Sequence, residues 1–210
     1  MPFDHNDHYH RLLSRHVPRS GGTALDVGCG TGRFARRLAR LGMDVDAIDP
    51  SEKVIAQARG LCPPAEAVGS PRFRQSDIMA LELPRGHYDF ISCLASIHHV
   101  PFGTVSALRD ALAPGGVLVI LGCYREETWL DHLWSLAAVP VNAVARLAVW
   151  AGDRLRSASA PAGRARMKPP VKQPGMPLSQ VRSESAVLLT GCRIRRLLFW
   201  RYLLVFRNDR

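Results

Sequence analysis

The chain has 210 residues, 47% of them hydrophobic and 22% charged, which suits one globular domain with a core that needs no disulfides. Its five cysteines, Cys29, Cys62, Cys93, Cys123 and Cys192, are odd in number and form no C-x-x-C pair. This argues against a disulfide framework or a cysteine zinc site, and for a reducing, cytoplasmic setting. The net charge of +10 is uneven: residues 1–124 hold 13 Lys/Arg against 12 Asp/Glu and residues 125–210 hold 15 against 6, so the basic character belongs to the C-terminal part.

The chain reads as one domain over 1–210, opening on a helical leader over 1–20. Met1–His10 is polar and lacks the apolar core of a signal peptide. Strands and helices then alternate from 23 to 123, the pattern of a parallel sheet. Thr23–Val27 is the first expected strand. Gly32–Leu41 is a helix with Phe34, Leu38 and Leu41 on its apolar face and Arg33, Arg36, Arg37 and Arg40 on a solvated one. Asp44–Ile48 is the second strand, and Ser51 caps a helix running to about Ala58. Pro63, Pro64 and Pro71 mark a loop, Phe73–Gln75 a short third strand and Phe90–Leu94 a fourth. Phe102–Leu112 is helical, Pro114-Gly115-Gly116 a turn, and Val117–Cys123 an apolar fifth strand, as expected where helices cover both sheet faces.

After Cys123 the pattern changes. Residues 125–177 read as a cap: Thr128–Trp150 is apolar and helical with a break at Pro140, and Ser157–Pro177 is a loop rich in Pro, Gly, Ala and basic residues. Trp129–Trp150 falls short of a membrane span, since it holds Asp131, His132, Asn142 and Arg146. Peripheral membrane contact through the basic part is a lesser option. Arg154–Lys172 carries six cations and no acid, and reads either as a gate over an acceptor pocket or as a solvated linker. Ser179–Leu189 is the last helix, and Arg193–Phe199 with Tyr202–Arg207 an antiparallel pair.

The chemistry is concentrated in Asp26-Val27-Gly28-Cys29-Gly30-Thr31-Gly32, where a strand runs into three alternate glycines and then a helix. Glycine permits sharp turns and close approach of backbone to a ligand, and the helix start offers free N–H groups. An acid two residues before the first glycine would repel a pyrophosphate. It suits a ligand bearing an ammonium and a sulfonium, so the loop favours S-adenosylmethionine over NAD.

These residues resemble the class I S-adenosylmethionine-dependent methyltransferases of the bacterial small-molecule type, over roughly 23–123 with a weaker echo at 179–207. The resemblance implies an α/β, Rossmann-like seven-stranded sheet of order 3-2-1-4-5-7-6, with strand 7 antiparallel, helices on both faces and an insertion after strand 5. It implies a cofactor site made of Asp26, Gly28, Cys29, Gly30 and Gly32. Asp49 with Pro50 would meet the ribose, Asp77 and the Ile78 amide the adenine, and Leu94 with Ala95 the methionine part. The product would be S-adenosylhomocysteine. His5-Asn6-Asp7-His8-Tyr9-His10 before Leu12-Leu13 is similar to a leader that folds over the cofactor in some bacterial methyltransferases, with Tyr9 reaching the methionine carboxylate; its other reading is a surface helix. No metal is expected, because no Cys or acidic set supports that His cluster.

His98 and His99 follow the fourth strand, where a histidine would deprotonate an acceptor. In-line geometry and desolvation would otherwise suffice. Cys93-Leu94-Ala95-Ser96 replaces the Asn/Asp-Pro-Pro-aromatic motif of enzymes that methylate exocyclic amines. The expected reaction is direct methyl displacement onto a small acceptor, apolar or amphipathic in keeping with the cap, with nucleic acid disfavoured. The alternatives are an RNA methyltransferase, an NAD-dependent oxidoreductase, and a non-catalytic binding protein on the same fold. The acceptor atom and the oligomeric state are left open.

Overall fold

The structure, a computed structural model, describes residues 5–62, 69–127, 175–198 and 200–209. Helix α1 (His5–Leu13) leads into β1 (Gly22–Val27), α2 (Arg33–Arg40), β2 (Met43–Asp49), α3 (Glu52–Gly60), β3 (Arg72–Gln75) and β4 (Tyr88–Leu94). Then come α4 (Thr104–Asp110), β5 (Leu112–Cys123), a helix here numbered α5 (Leu178–Leu188), β6 (Arg193–Leu197) and β7 (Arg201–Arg207). The seven strands form one sheet of order β3-β2-β1-β4-β5-β7-β6, as the sequence implied. Only β7 runs antiparallel to its neighbours, β5 and β6.

Alternation along the strands sends side chains to two cores. One contains Ala24, Val45, Ala47, Val119 and Leu121 beneath Leu13 of α1, Phe34 and Leu38 of α2 and Ile55 of α3. The other contains Leu25, Ile48, Ile91, Leu118 and Ile120 beneath Val105 and Leu108 of α4 and Val181 of α5. Val117–Leu121 is buried at every position because both faces are covered. Each large aliphatic there contributes about 1.5–3 kcal/mol of transfer free energy.

Several expectations shift. Leu41 is 43% exposed, because α2 ends at Arg40 and its buried face is Phe34, Ala35 and Leu38. Ser51 takes the N-cap position of α3, but its side chain makes no capping bond; its amide instead donates to Asp49 Oδ1 at 2.9 Å. Pro114-Gly115-Gly116 is no free-standing turn. It lies inside β5, whose pairing with β4 shifts register between Tyr88 and Phe90, and Gly115 donates to the Asn208 carbonyl at 2.6 Å while Asn208 donates to Gly116 at 2.9 Å. The C-terminal tail thus absorbs the irregularity.

The expected helix Thr128–Trp150 and most of the loop to 177, including the gate Arg154–Lys172, lie outside the described residues. The two flanks of this segment do meet: the Arg125 amide donates to Met176 at 2.9 Å, and Arg125 bridges to Pro177. Among the described residues no helix is long and apolar enough to cross a membrane, and no group of three His, Cys, Asp or Glu is placed to hold a metal.

Candidate active site

The glycine loop leaves β1 at the carboxyl edge of the sheet and is tied to β2 from the start. The amides of Gly28 and Cys29 both donate to the Ile48 carbonyl, at 2.8 and 2.9 Å. Gly28, Gly30 and Gly32 have φ of 69°, 54° and 74°, a left-handed region where side chains are strained. The three serve different ends. A Cβ at Gly28 would overlap the Ser96 side chain, and one at Gly32 would overlap the Phe73 ring, so these two glycines let β4 and β3 close on the loop. A Cβ at Gly30 would meet nothing within 4 Å. Gly30 is therefore the glycine that faces open space, where a ligand can lie against bare backbone.

Two carboxylates flank the loop. Asp49, at the end of β2, accepts from the Gly30 amide through Oδ2 at 3.1 Å and from the Ser51 amide through Oδ1 at 2.9 Å. Each oxygen keeps a lone pair for a hydroxyl. Asp26 lies below the loop, 1% exposed, with Oδ1 accepting from Ser92 Oγ at 2.7 Å. Oδ2 is buried, and no donor among the described residues meets it with full hydrogen-bond geometry. Burial pushes this carboxyl up to about 7; the Ser92 hydrogen bond opposes the rise, the Asp49 charge adds to it, and a loose backbone hydrogen bond from the Ala35 amide, the smallest of the four effects, opposes it. A buried acceptor without a donor is costly and calls for an explanation. A cationic group at the loop supplies one. Burial likewise pushes up the Cys29 thiol, so it stays protonated and acts as packing.

The residues expected to meet the adenine adjoin this pair. The Ser76 amide donates to the Asp49 carbonyl at 3.1 Å and Gln75 reaches the Pro50 carbonyl at 3.4 Å, which sets Asp77 and Ile78 beside the end of β2. Asp77 is exposed, with Oδ1 accepting from the Met79 amide at 2.9 Å. From β4, Leu94 is half-buried. Ala95 has a φ of 52°, a strained value for a residue with a side chain, held by its amide bond to the Leu121 carbonyl at 2.8 Å. His98 and His99 follow in a single helical turn, Ile97–His99, with ring centroids 4.1 Å apart.

Tyr9 is placed elsewhere. Its buried hydroxyl donates to the Leu198 carbonyl at 3.0 Å, between β6 and β7. To donate to a cofactor carboxylate it would have to release Leu198. Sequence reasoning missed Ser92, Ser96 and Phe73. Ser96 also donates from Oγ to the Val27 carbonyl at 2.6 Å, pinning the end of β4 to the end of β1. Ser92 did leave a signal, as the one hydroxyl inside the apolar run Phe90–Leu94.

A family model described as a methyltransferase domain matches residues 25–120, the stretch that builds this loop and both carboxylates. An uncharacterized methyltransferase of Mycobacterium tuberculosis is 32% identical over 211 residues, spanning 99% of this chain and 98% of the relative. The chain belongs to the class I S-adenosylmethionine-dependent methyltransferases. A ubiquinone biosynthesis O-methyltransferase of Xanthomonas campestris is 31% identical over 137 residues, 64% of this chain and 55% of that protein, so the match covers little more than half of the relative. Magnesium protoporphyrin IX methyltransferase from Synechocystis, solved with bound S-adenosylhomocysteine, shares the fold at a TM-score of 0.58 and 18% identity over 97% of this chain and 81% of that one. The cofactor of this methyltransferase is S-adenosylmethionine.

Proposed function

We propose that this methyltransferase moves the methyl group of S-adenosylmethionine by direct displacement onto a small acceptor with an apolar or amphipathic body. The observation that carries the cofactor half is the pairing of an open Gly30 with an orphaned oxygen of Asp26, on the strand that leads into the same loop. The donor set fits the group. Asp26 balances its ammonium, and Gly28, Cys29, Gly30 and Gly32 give it backbone. Asp49 with Pro50 holds the ribose hydroxyls, Asp77 and the Ile78 amide hold the adenine, and Leu94 with Ala95 line the methionine part. When bound, the cofactor supplies a methyl on a cationic sulfur that a nucleophile takes in line.

The chain's own residues orient that encounter. Strained Ala95, at the end of β4, would line the methionine part, and an acceptor entering near His98 and His99 would give its proton to one of them. A small acceptor is supported by the likeness to the ubiquinone biosynthesis enzyme, whose name also favours an oxygen nucleophile. The apolar stretch 128–150 within 125–177 suits an acceptor with an apolar or amphipathic body.

The test is a release assay for S-adenosylhomocysteine across phenols, quinols, amphipathic acids and total RNA. Turnover with small acceptors and none with RNA is expected. Methylated RNA with every small acceptor inert would overturn the reading, as would binding of NADH in place of S-adenosylhomocysteine.

A further inference from the structure

The corner where β5 meets β7 holds a cation that the proposed cofactor contacts do not use. Arg201 opens β7 directly opposite Cys123, the last residue of β5. Alternation puts it on the face of Leu203, the face that α1 and α2 cover. The residue is half-buried, its Nη1 contacts the Cys123 thiol, and its Nε is buried without a hydrogen-bond partner. Among the described residues no carboxylate pairs with it. Nearby charge is of the same sign: burial pushes the Tyr9 hydroxyl up to about 12 even though Arg201 and, more weakly, Arg195 both pull it down.

An unpaired N–H on a half-buried guanidinium is disfavoured unless something else meets it. With Nη1 turned to Cys123, the free edge is the one formed by Nε and Nη2. Those parallel donors match the two oxygens of a carboxylate. The start of β7 is held in place: Trp200 has a φ of 57°, and its Nε1 donates to Glu126 Oε1 at 2.8 Å. The placement also suits an acceptor. Leu94 pairs with Leu121 of β5, and Arg201 lies one strand further and two residues along, opposite Cys123, so two strand spacings of about 5 Å each and a rise of about 7 Å along the strand separate it from the end of β4. The Arg201 side chain and one small ring together span that gap.

We propose that Arg201 anchors a carboxylate on the acceptor, so that the enzyme methylates a small acid in preference to its neutral counterpart. This rests on the methyltransferase reading above and names the substrate class for it. The methyl would pass to the nucleophile at the far end of the molecule from the carboxylate, and the nucleophile's proton would leave toward His98 or His99.

The test uses the full chain saturated with S-adenosylhomocysteine and two probes that differ only in a carboxylate, protocatechuate and catechol, titrated by calorimetry. Wild type should bind the acid about tenfold more tightly or better, the worth of one charge-assisted pair. Arg201→Met should bring the two probes to near parity while S-adenosylhomocysteine affinity and melting temperature hold. Arg201→Lys should restore part of the preference. A wild type that does not discriminate, a preference that survives in Arg201→Met, or no binding of either probe to the loaded protein would each overturn the assignment. Failure to bind S-adenosylhomocysteine at all would overturn the methyltransferase reading and this one with it.

Discussion

The amide of Gly30 donates to Oδ2 of Asp49 at 3.1 Å, so a single carboxylate holds both the tip of the glycine loop and, through Ser51, the start of the next helix. The group read as the ribose ligand is thereby set in place before any ligand arrives. Pre-arranged acceptors cost less to organise on binding.

Replacing Asp49 with Ala should weaken S-adenosylhomocysteine binding by about 1.5–3 kcal/mol, the usual loss for charge-assisted hydrogen bonds. The melting temperature should fall only slightly, since Asp49 is half-exposed at a strand end. Calorimetric titration checks this, and an unchanged dissociation constant would remove Asp49 from the ribose site.

The glycines separate folding from binding. Gly30→Val should abolish cofactor binding and cost roughly 1–3 kcal/mol of stability from backbone strain, because a Cβ there meets nothing in the protein within 4 Å. Gly32→Ala should destabilise more, since its Cβ collides with Phe73 in addition to the strain. Thermal unfolding beside titration distinguishes the two, and a Gly30→Val protein that binds normally would mean the loop does not wrap the ligand.

Asp26 predicts a pH signature. Its carboxyl rises from an ordinary 3.8 to about 7 in the fold. Between those values the unfolded chain is ionised while the folded one keeps the proton, so this group's contribution to stability falls as pH rises from about 4 to about 7. Asp26→Asn should lose less stability than wild type across that window. Cofactor affinity should run the other way in wild type, improving as Asp26 ionises through about pH 7, and should be flat in Asp26→Asn. Parallel affinity profiles in the two proteins would show that Asp26 does not meet the ammonium.

For the histidines, single replacement of His98 or His99 by Ala should lower kcat by about 10²–10⁴ at whichever position is the base, with the dissociation constant for S-adenosylhomocysteine unchanged. If both variants keep wild-type kcat, then positioning and desolvation carry the chemistry alone.

What the sequence made legible was local. Strand, glycines and following helix sit within one short run, and Asp49 lies at a fixed remove from Gly32, so both were readable and the sheet order came with the resemblance. What it concealed depends on strands distant along the chain. Ser92 reaches Asp26 across 66 positions and Ser96 reaches Val27 across 69. The steric reason for Gly28 and Gly32 lies in Ser96 and Phe73, and no spacing rule names those partners. The Pro114-Gly115-Gly116 misreading has the same origin, since Asn208 is what turns a turn-forming tripeptide into part of a strand. Arg201 is one of many C-terminal cations in the sequence, and only its register opposite Cys123 sets it apart.

The bond from Tyr9 to Leu198 joins positions 189 apart. On the ribosome, α1 is made well before its anchor, so the Tyr9 end of the helix has no dock until the β6–β7 hairpin has emerged and paired. Closing so long a span early is entropically unfavourable. The leader thus fastens as a late step of folding, and a chain stalled short of the hairpin keeps that flank of the sheet uncovered. Pulse-labelled hydrogen exchange during refolding should show the amides around Tyr9 gaining protection after those of β1 and β4; simultaneous protection would place the fastening early instead.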